Sequence, residues 1–319
     1  MILITRRIPS SVLARLREAG EVEVHAGEQA IGRTELVDRI RDKRALVCLL
    51  TDRIDREVIE AAPSLRVIAN IAVGYNNIDV DHARSCGIVV TNTPDVLTEA
   101  VADFTWGLIL ALTRRVVEGD RVVRRGAWKG WALDFMLGSE LRGKQLGVIG
   151  MGRIGQAVAA RAPALGMTVA TVSERALKLQ GRPAGPAVPK IAQVSFDELI
   201  TSSHVLTLHV PLTAETTHLI DARVLARMRR SAYLVNTSRG SVVDEAALAW
   251  ALREGLIAGA ALDVYEREPA VHPDLIGLEN VILAPHLASA TIETRTAMAD
   301  LAATNVLRVL AGMPALTPV

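Results

Sequence analysis

The sequence predicts an α/β chain of two doubly wound parallel-sheet domains, and three observations predict it. Short apolar runs of strand type alternate strictly with longer segments of helical period along the whole chain. Several runs, Ala45–Leu50 above all, are apolar throughout, as strands covered on both faces must be. The alternation pauses after Thr93-Pro94, crosses a long segment rich in Ala, Leu and Val, and begins again. Two units of similar pattern therefore stand in tandem, with no sequence repeat between them.

Ile2–Thr5 reads as the first strand, and Ser10–Ala19 as a helix with Val12, Leu13 and Leu16 on one face. Glu21–Val24 is a second strand, followed by a short helix, Thr34–Ile40, with Thr34 as its N-cap. Ala45–Leu50, Leu65–Ile71 and Ile88–Thr91 continue as strands, separated by helices at Asp55–Ala61 and Val80–Ser85. Val96–Arg124 is too long and regular for a linker and reads as one or two connecting helices; a loop rich in Gly and Trp runs from Gly126 to Gly143. The second block is Gln145–Ile149 strand, Ile154–Leu165 helix and Thr168–Val172 strand. Further strands follow at Val205–His209, Tyr233–Asn236, Ala258–Asp263 and Val281–Leu283. Gly181–Lys190, rich in Pro and Gly, reads as a surface loop. Thr291–Leu310 is an amphipathic helix with no strand after it, and it must pack on something; the first domain is the expected host. The domains are then 1–97 plus 288–319, with 98–287 inserted between them. Crossings near Thr98 and His286 would form a hinge for a closing cleft.

Composition narrows the function. The 319 residues, half of them hydrophobic and 22% charged, suffice for two cores. Thirty-six Lys and Arg against 35 Asp and Glu leave a net charge of +1, without the basic excess of a phosphate-neutralising nucleic-acid binder. Cys48 and Cys86 have neither zinc spacing nor a disulfide framework and read as reduced thiols. No metal is expected, because the seven His and two Cys show no ligand spacing. Arg6-Arg7 interrupts the apolar start, no apolar signal region follows, and no run nears the roughly 18 apolar residues of a membrane span. The expectation is a cytoplasmic protein.

Gly150-Met151-Gly152-Arg153-Ile154-Gly155 is a G-x-G-x-x-G loop that follows one strand and opens a helix. The first glycine makes the tight turn, the second admits a pyrophosphate to the backbone, and the third lets helix and strand pack. The helix N-terminus offers unpaired N–H groups to the anion. This is a Rossmann-type dinucleotide site.

Three further residues stand at strand ends of the same unit: Arg239 after Tyr233–Ser238, Glu268 before Pro269, and His286 after Pro285. Reducing a 2-keto acid needs a cation for the carboxylate, a hydride donor, and a proton donor for the developing alkoxide. Arg supplies a bidentate fork, His carries a proton near neutral pH, and a carboxylate bonded to that His favours imidazolium. Taken singly, each also reads as ordinary: Arg239 a loop cap, Glu268 a solvated charge, His286 a satisfied loop histidine.

Together these motifs resemble the D-2-hydroxyacid dehydrogenases, and within them the glyoxylate/hydroxypyruvate reductase branch. The resemblance covers essentially the whole chain. It rests on Ala72-Val73-Gly74-Tyr75-Asn76-Asn77-Ile78-Asp79, Asn92-Thr93-Pro94-Asp95-Val96-Leu97-Thr98, the glycine loop, Asn236-Thr237-Ser238-Arg239-Gly240 and Pro285-His286. It implies a flavodoxin-like substrate domain beside the Rossmann domain, NAD(P) as cofactor, a small 2-keto or 2-hydroxy acid as substrate, and a homodimer. Arg239 would bind the substrate carboxylate, His286 would be the acid/base, and Glu268, the acid directly before the Pro, its partner. The N–H groups near Val73 and Gly74 would hold the carboxylate from the first domain, with Ser289 at the substrate side. Gly150, Gly152, Arg153, Ile154 and Gly155 would take the pyrophosphate. Thr98, Val210, Pro211, Thr237, Asp263 and Ala288 would line the rest of the cofactor.

Two departures stand out. Leu287-Ala288-Ser289 replaces the branch's usual Ile-Gly-Ser, and the strand that should end in a ribose-binding acid ends at Ser173. Ser173 and Arg175 suit a 2′-phosphate, whereas Glu174 suits a ribose. The balance is activity with both cofactors and a modest lean to NADP. No Arg lies near Asn70 for a substrate phosphate, and Val73 stands where phosphite-oxidising relatives carry Lys, so a small uncharged acid such as glyoxylate or hydroxypyruvate fits, with 2-ketogluconate the alternative. The aromatic cluster Trp128, Trp131 and Phe135 reads either as an arm toward a neighbouring subunit or as interdomain packing. The rival class is a nucleotide-sensing, non-catalytic binding protein of this fold, like the C-terminal-binding-protein corepressors, whose regulatory segments are not found here.

Overall fold

The computed structural model describes residues 1–27, 29–173 and 191–319, and the chain divides into two compact units. Residues 1–97 with 290–319 form the first, and 98–289 the second.

In the first unit β1 (Ile2–Ile4), β2 (Val22–Val24), β3 (Ala45–Cys48), β4 (Val67–Asn70) and β5 (Val89–Thr91) make one parallel sheet in the order β2-β1-β3-β4-β5. Side chains alternate across it. Leu3, Leu46 and Ile68 meet Leu36, Ile40, Val58 and Ile59 on one face. Ile2, Ile4, Val47, Val67 and Ala69 meet Val12 and Leu16 on the other, together with Ala299, Ala302, Ala303, Val306 and Val309 of the C-terminal helix Ile292–Leu310. The alanines let that helix lie close against the strands. Thr291 caps it by accepting from the Thr294 N–H. Beyond the helix, buried Asn305 accepts from the Leu316 and Thr317 N–H groups and ties the tail down. Thr34 is not an N-cap: the helix is Arg33–Arg39, because the extended Gly32 already supplies the carbonyl that accepts the Leu36 N–H.

In the second unit β6 (Gln145–Ile149), β7 (Thr168–Thr171), β8 (Ile191–Gln193), β9 (Val205–Leu208), β10 (Tyr233–Asn236), β11 (Gly259–Leu262) and β12 (Val281–Leu283) form a parallel sheet ordered β12-β11-β10-β9-β6-β7-β8. The long connecting segment splits at Arg115, whose φ of 54° ends one helix, Thr98–Thr113, before the next, Val116–Arg124. Trp106 of the first anchors it by donating its indole N–H to the Val158 carbonyl at 2.9 Å. The helix expected over Ile154–Leu165 is α-helical only over Arg153–Arg161; Pro163 lacks an N–H, and Ala162–Leu165 tighten into a 3₁₀ turn. β8 was not foreseen, being three residues at the edge of the Pro- and Gly-rich stretch. The loop expected at 181–190 lies outside the described residues. Among those described, no helix is long and apolar enough to cross a membrane.

Candidate active site

β6 lies between β7 and β9, so the chain leaves β6 at the point where strand order reverses, and the glycine loop begins there. Gly150 has φ +98°, and a methyl on it would meet the His209 carbonyl carbon at 2.5 Å; one on Gly155 would meet the Gly150 oxygen at 1.9 Å. Both glycines are fixed by packing. Gly152 differs, because a methyl there meets nothing within 4 Å, and its extended backbone is the N-cap of the helix Arg153–Arg161. Helix N–H groups thus open onto free space above Gly152, the cradle a pyrophosphate requires. Beyond it, Pro211 is bound through its carbonyl to the Thr216 hydroxyl at 2.7 Å, and Val210 follows the strand that Gly150 packs against. Thr98 opens the first connecting helix. Ser173 lies two residues past β7, with its N–H on the Thr171 hydroxyl at 3.3 Å; Glu174 and Arg175 lie outside the described residues.

The loops after β10, β11 and β12 converge. Asn236 shapes the first: its side-chain oxygen accepts from the Ser238 N–H and hydroxyl, and its amide donates to the Arg239 carbonyl. Thr237 is buried, with its hydroxyl 3.0 Å from that of Thr105. Burial pulls the Arg239 guanidinium below its ordinary value, while the charge of Glu268 acts the other way. Gly240 has no room for a side chain, since a methyl would overlap the Tyr265 carbonyl carbon at 1.8 Å.

Glu268 sits in the turn closed by the Ala270 N–H on the Arg267 carbonyl. One carboxylate oxygen accepts from the Tyr265 N–H at 3.0 Å, and the other lies 2.9 Å from Nδ1 of His286. Burial alone would raise the Glu268 pKa. The His286 hydrogen bond and charge, the Tyr265 N–H and Arg239 outweigh it and hold this carboxyl below its ordinary value.

His286 has φ 55°, unusual for a non-glycine residue, and two groups hold it there. Its N–H bonds to the Asp263 carbonyl at 3.0 Å, and the fully buried Asp263 carboxylate accepts from the Leu287 and Ala288 N–H groups at 2.7 and 2.8 Å. Burial raises the Asp263 pKa, and those two N–H groups oppose the rise. Ala288 is buried beside this knot and Ser289 follows it.

Val73 and Gly74 belong to the first unit. Their carbonyls are taken by side-chain amides, Val73 by Asn92 at 2.8 Å and Gly74 by Asn70 at 3.0 Å. Asn77 braces the same loop by donating to the Leu49 and Asp52 carbonyls. The Val73 and Gly74 N–H groups bond to no described residue. Sequence reasoning missed these asparagines as supports, and it missed Tyr265, Glu245 and Glu266 as well. Only the order of Asn70, Asn77 and Asn92 around the loop could have pointed to the first group.

Residues 106–288 match the profile described as "D-isomer specific 2-hydroxyacid dehydrogenase, NAD binding domain". The chain is 49% identical to a glyoxylate reductase of Thermofilum pendens over 98% of its own length and 91% of that protein's. The chain belongs to the D-isomer specific 2-hydroxyacid dehydrogenase family. Another member, a glyoxylate reductase of Thermococcus onnurineus, is 48% identical over 96% of this chain and 91% of that protein. The fold of the dehydrogenase superposes on a Thermus thermophilus protein of known structure with TM-score 0.92 and 44% identity, covering 100% and 99% of the two chains. It also superposes on an NADPH-dependent glyoxylate/hydroxypyruvate reductase of Sinorhizobium meliloti with TM-score 0.83 and 37% identity, covering 100% and 97%. As a member, the dehydrogenase is an oxidoreductase that works on the CH–OH group with a nicotinamide cofactor and reduces 2-keto acids.

Proposed function

We propose that this dehydrogenase reduces a small 2-keto acid, glyoxylate or hydroxypyruvate, to the D-2-hydroxy acid, with His286 as proton donor. The observation that carries the reading is the 2.9 Å contact of Glu268 with His286 beside the half-buried Arg239. The Glu268 carboxylate is held ionised and orients the imidazole through Nδ1, so that Nε2 is the atom that delivers the proton. Arg239 grips the substrate carboxylate through its fork and polarises the keto oxygen where negative charge develops. The family resemblance adds the N–H groups of Val73 and Gly74 and the Ser289 side chain as groups that would bind the same carboxylate. Gly152, Arg153, Ile154 and Gly155 would hold the cofactor pyrophosphate at the helix N-terminus, and Thr98, Val210, Pro211, Thr237, Asp263 and Ala288 would line its nicotinamide end. The bound nicotinamide supplies the hydride.

Residues 1–97 with 288–319 act as the substrate domain, and 98–287 as the cofactor domain. The relatives named glyoxylate reductase support the small substrate, and the neutral Ala72–Tyr75 loop suits it. NADPH is modestly preferred, because Ser173 replaces the ribose-binding acid and Arg175 carries charge for a 2′-phosphate. Trp128, Trp131 and Leu133 stand 56, 83 and 81% exposed on one loop, an apolar surface that supports a homodimer. An initial-rate panel of glyoxylate, hydroxypyruvate, pyruvate and 2-ketogluconate with NADH and NADPH tests the reading. Tight nicotinamide binding without turnover of any acid would favour a nucleotide-sensing role instead. Arg175→Ala should weaken NADPH more than NADH; a preference for NADH lost in Glu174→Ala would reverse the cofactor assignment.

A further inference from the structure

Two carboxylates behind the catalytic loops have no part in the chemistry above. Glu245, the first residue of the helix Glu245–Arg253, is 5% exposed, and Glu266 lies two residues before Glu268. Each accepts from the other's backbone: the Glu266 N–H donates to Glu245 at 2.7 Å, and the Glu245 N–H donates to Glu266 at 2.9 Å. Charged hydrogen bonds of this kind are among the strong ones. We propose that Glu245 and Glu266 form a reciprocal clamp that positions Glu268 against His286, which makes them positioning residues for keto-acid reduction.

The clamp grips the loop where it leaves the core. Glu245 also lies near the backbone and ring of His272, at the far end of the segment 266–272 that carries Glu268. The second oxygen of Glu266 lies 3.2 Å from Nε2 of His218, which ties in the loop before Leu219. Between Glu266 and the core, Tyr265 gives its N–H to Glu268 and its hydroxyl to the Ala284 carbonyl at 2.9 Å, two residues before His286. Gly240, next to Arg239, packs on the backbone of Tyr265 and Glu266. All three catalytic loops therefore bear on the segment the clamp fixes. The charged or titratable groups around it are His218, His272, Tyr265, Asp263, Glu268 and Arg239. Burial and the neighbouring Glu266 charge raise the Glu245 pKa, opposed by the Glu266 and His272 N–H groups, the cost of keeping an acceptor inside.

The inference rests on the roles proposed for Glu268 and His286, and one readout avoids activity altogether. In the full chain, the Glu268 carboxyl is followed by ¹³C NMR as the resonance lost in Glu268→Gln. Glu245→Ala and Glu266→Ala should each move its titration upward, toward ordinary glutamate, as Glu268 loses its fixed partners. Glu245→Gln, which keeps an acceptor, should restore it. In keto-acid reduction, Glu245→Ala should lower kcat about tenfold through loosened geometry and leave nicotinamide affinity unchanged. Combined with Glu268→Gln it should add nothing further, since both act through one group. An unmoved Glu268 titration, or losses that multiply in the double variant, would overturn the clamp, even if stability fell. If the wild type turns over no 2-keto acid, the proposed function fails, and the titration still decides the clamp.

Discussion

Two loops in this molecule present backbone N–H groups in a form suited to an anion, and they are built in opposite ways. The Gly150–Gly155 loop is shaped by the absence of side chains, its first and last glycines pressed against His209 and Gly150. The Ala72–Asn77 loop is shaped by side-chain amides: Asn70 and Asn92 reach in to the carbonyls of Gly74 and Val73, and the loop's own Asn77 reaches out to those of Leu49 and Asp52. A loop made by packing tolerates no added atom at its packed glycines, Gly150 and Gly155. A loop made by side-chain amides tolerates substitution at the loop itself and fails when a distant amide is lost. Rigid packing suits an invariant group such as a pyrophosphate, and replaceable amides suit a site whose ligand differs among relatives.

Predictions that break or sharpen this contrast run from large effects to small. His286→Ala touches neither loop and should lower kcat about 10²–10⁴-fold, with nicotinamide affinity nearly intact. Near-normal turnover would remove His286 from the chemistry. Gly155→Ala, whose methyl would sit 1.9 Å from the Gly150 oxygen, should weaken NADH and NADPH alike by about 10–100-fold through overpacking. Titration of nicotinamide fluorescence checks it, and unchanged binding would show that the loop yields as freely as the other one.

Asn77→Ala leaves the Leu49 and Asp52 carbonyls without its amide. It should raise KM for the keto acid several-fold and destabilise the fold by about 1–3 kcal/mol, while nicotinamide affinity stays constant. An equal loss on both ligands would erase the distinction between the loops. The smallest effect is on acid stability. Glu268 has a folded pKa below its ordinary 4.5, so the stability its carboxylate contributes is fully present above that value and lost as pH falls through the lower folded value. Glu268→Gln should therefore narrow the stability difference between pH 7 and pH 3, read by denaturant unfolding.

The contrast also marks what was legible in advance. The glycine loop could be read because each glycine answers a neighbour at most five residues away or the strand beside it, a local pattern. The strands were legible for a similar reason: buried parallel strands must be apolar throughout, and β1, β3 and β11 are. Arg239, Glu268 and His286 were visible as residue types at strand ends, and the family resemblance supplied their roles. The asparagine braces were not legible, because an amide that bonds a carbonyl 28 residues away leaves no periodic trace.

The sequence by itself determined the alternation of strand and helix, the glycine turn after the second unit's first strand, and the set of groups able to move a proton. Hydrophobic period, turn chemistry and side-chain type are local properties, and they survive without the fold. Only the tertiary structure decided that the Glu268 carboxylate meets Nδ1 of His286 18 residues away, that Asp263 holds the left-handed turn there, and that Glu245 and Glu266 lock the segment behind them. Those contacts depend on which strands lie side by side in the order β12-β11-β10. Strand order follows from the burial of both sheet faces at once, a property of the whole unit that no short stretch of chain carries.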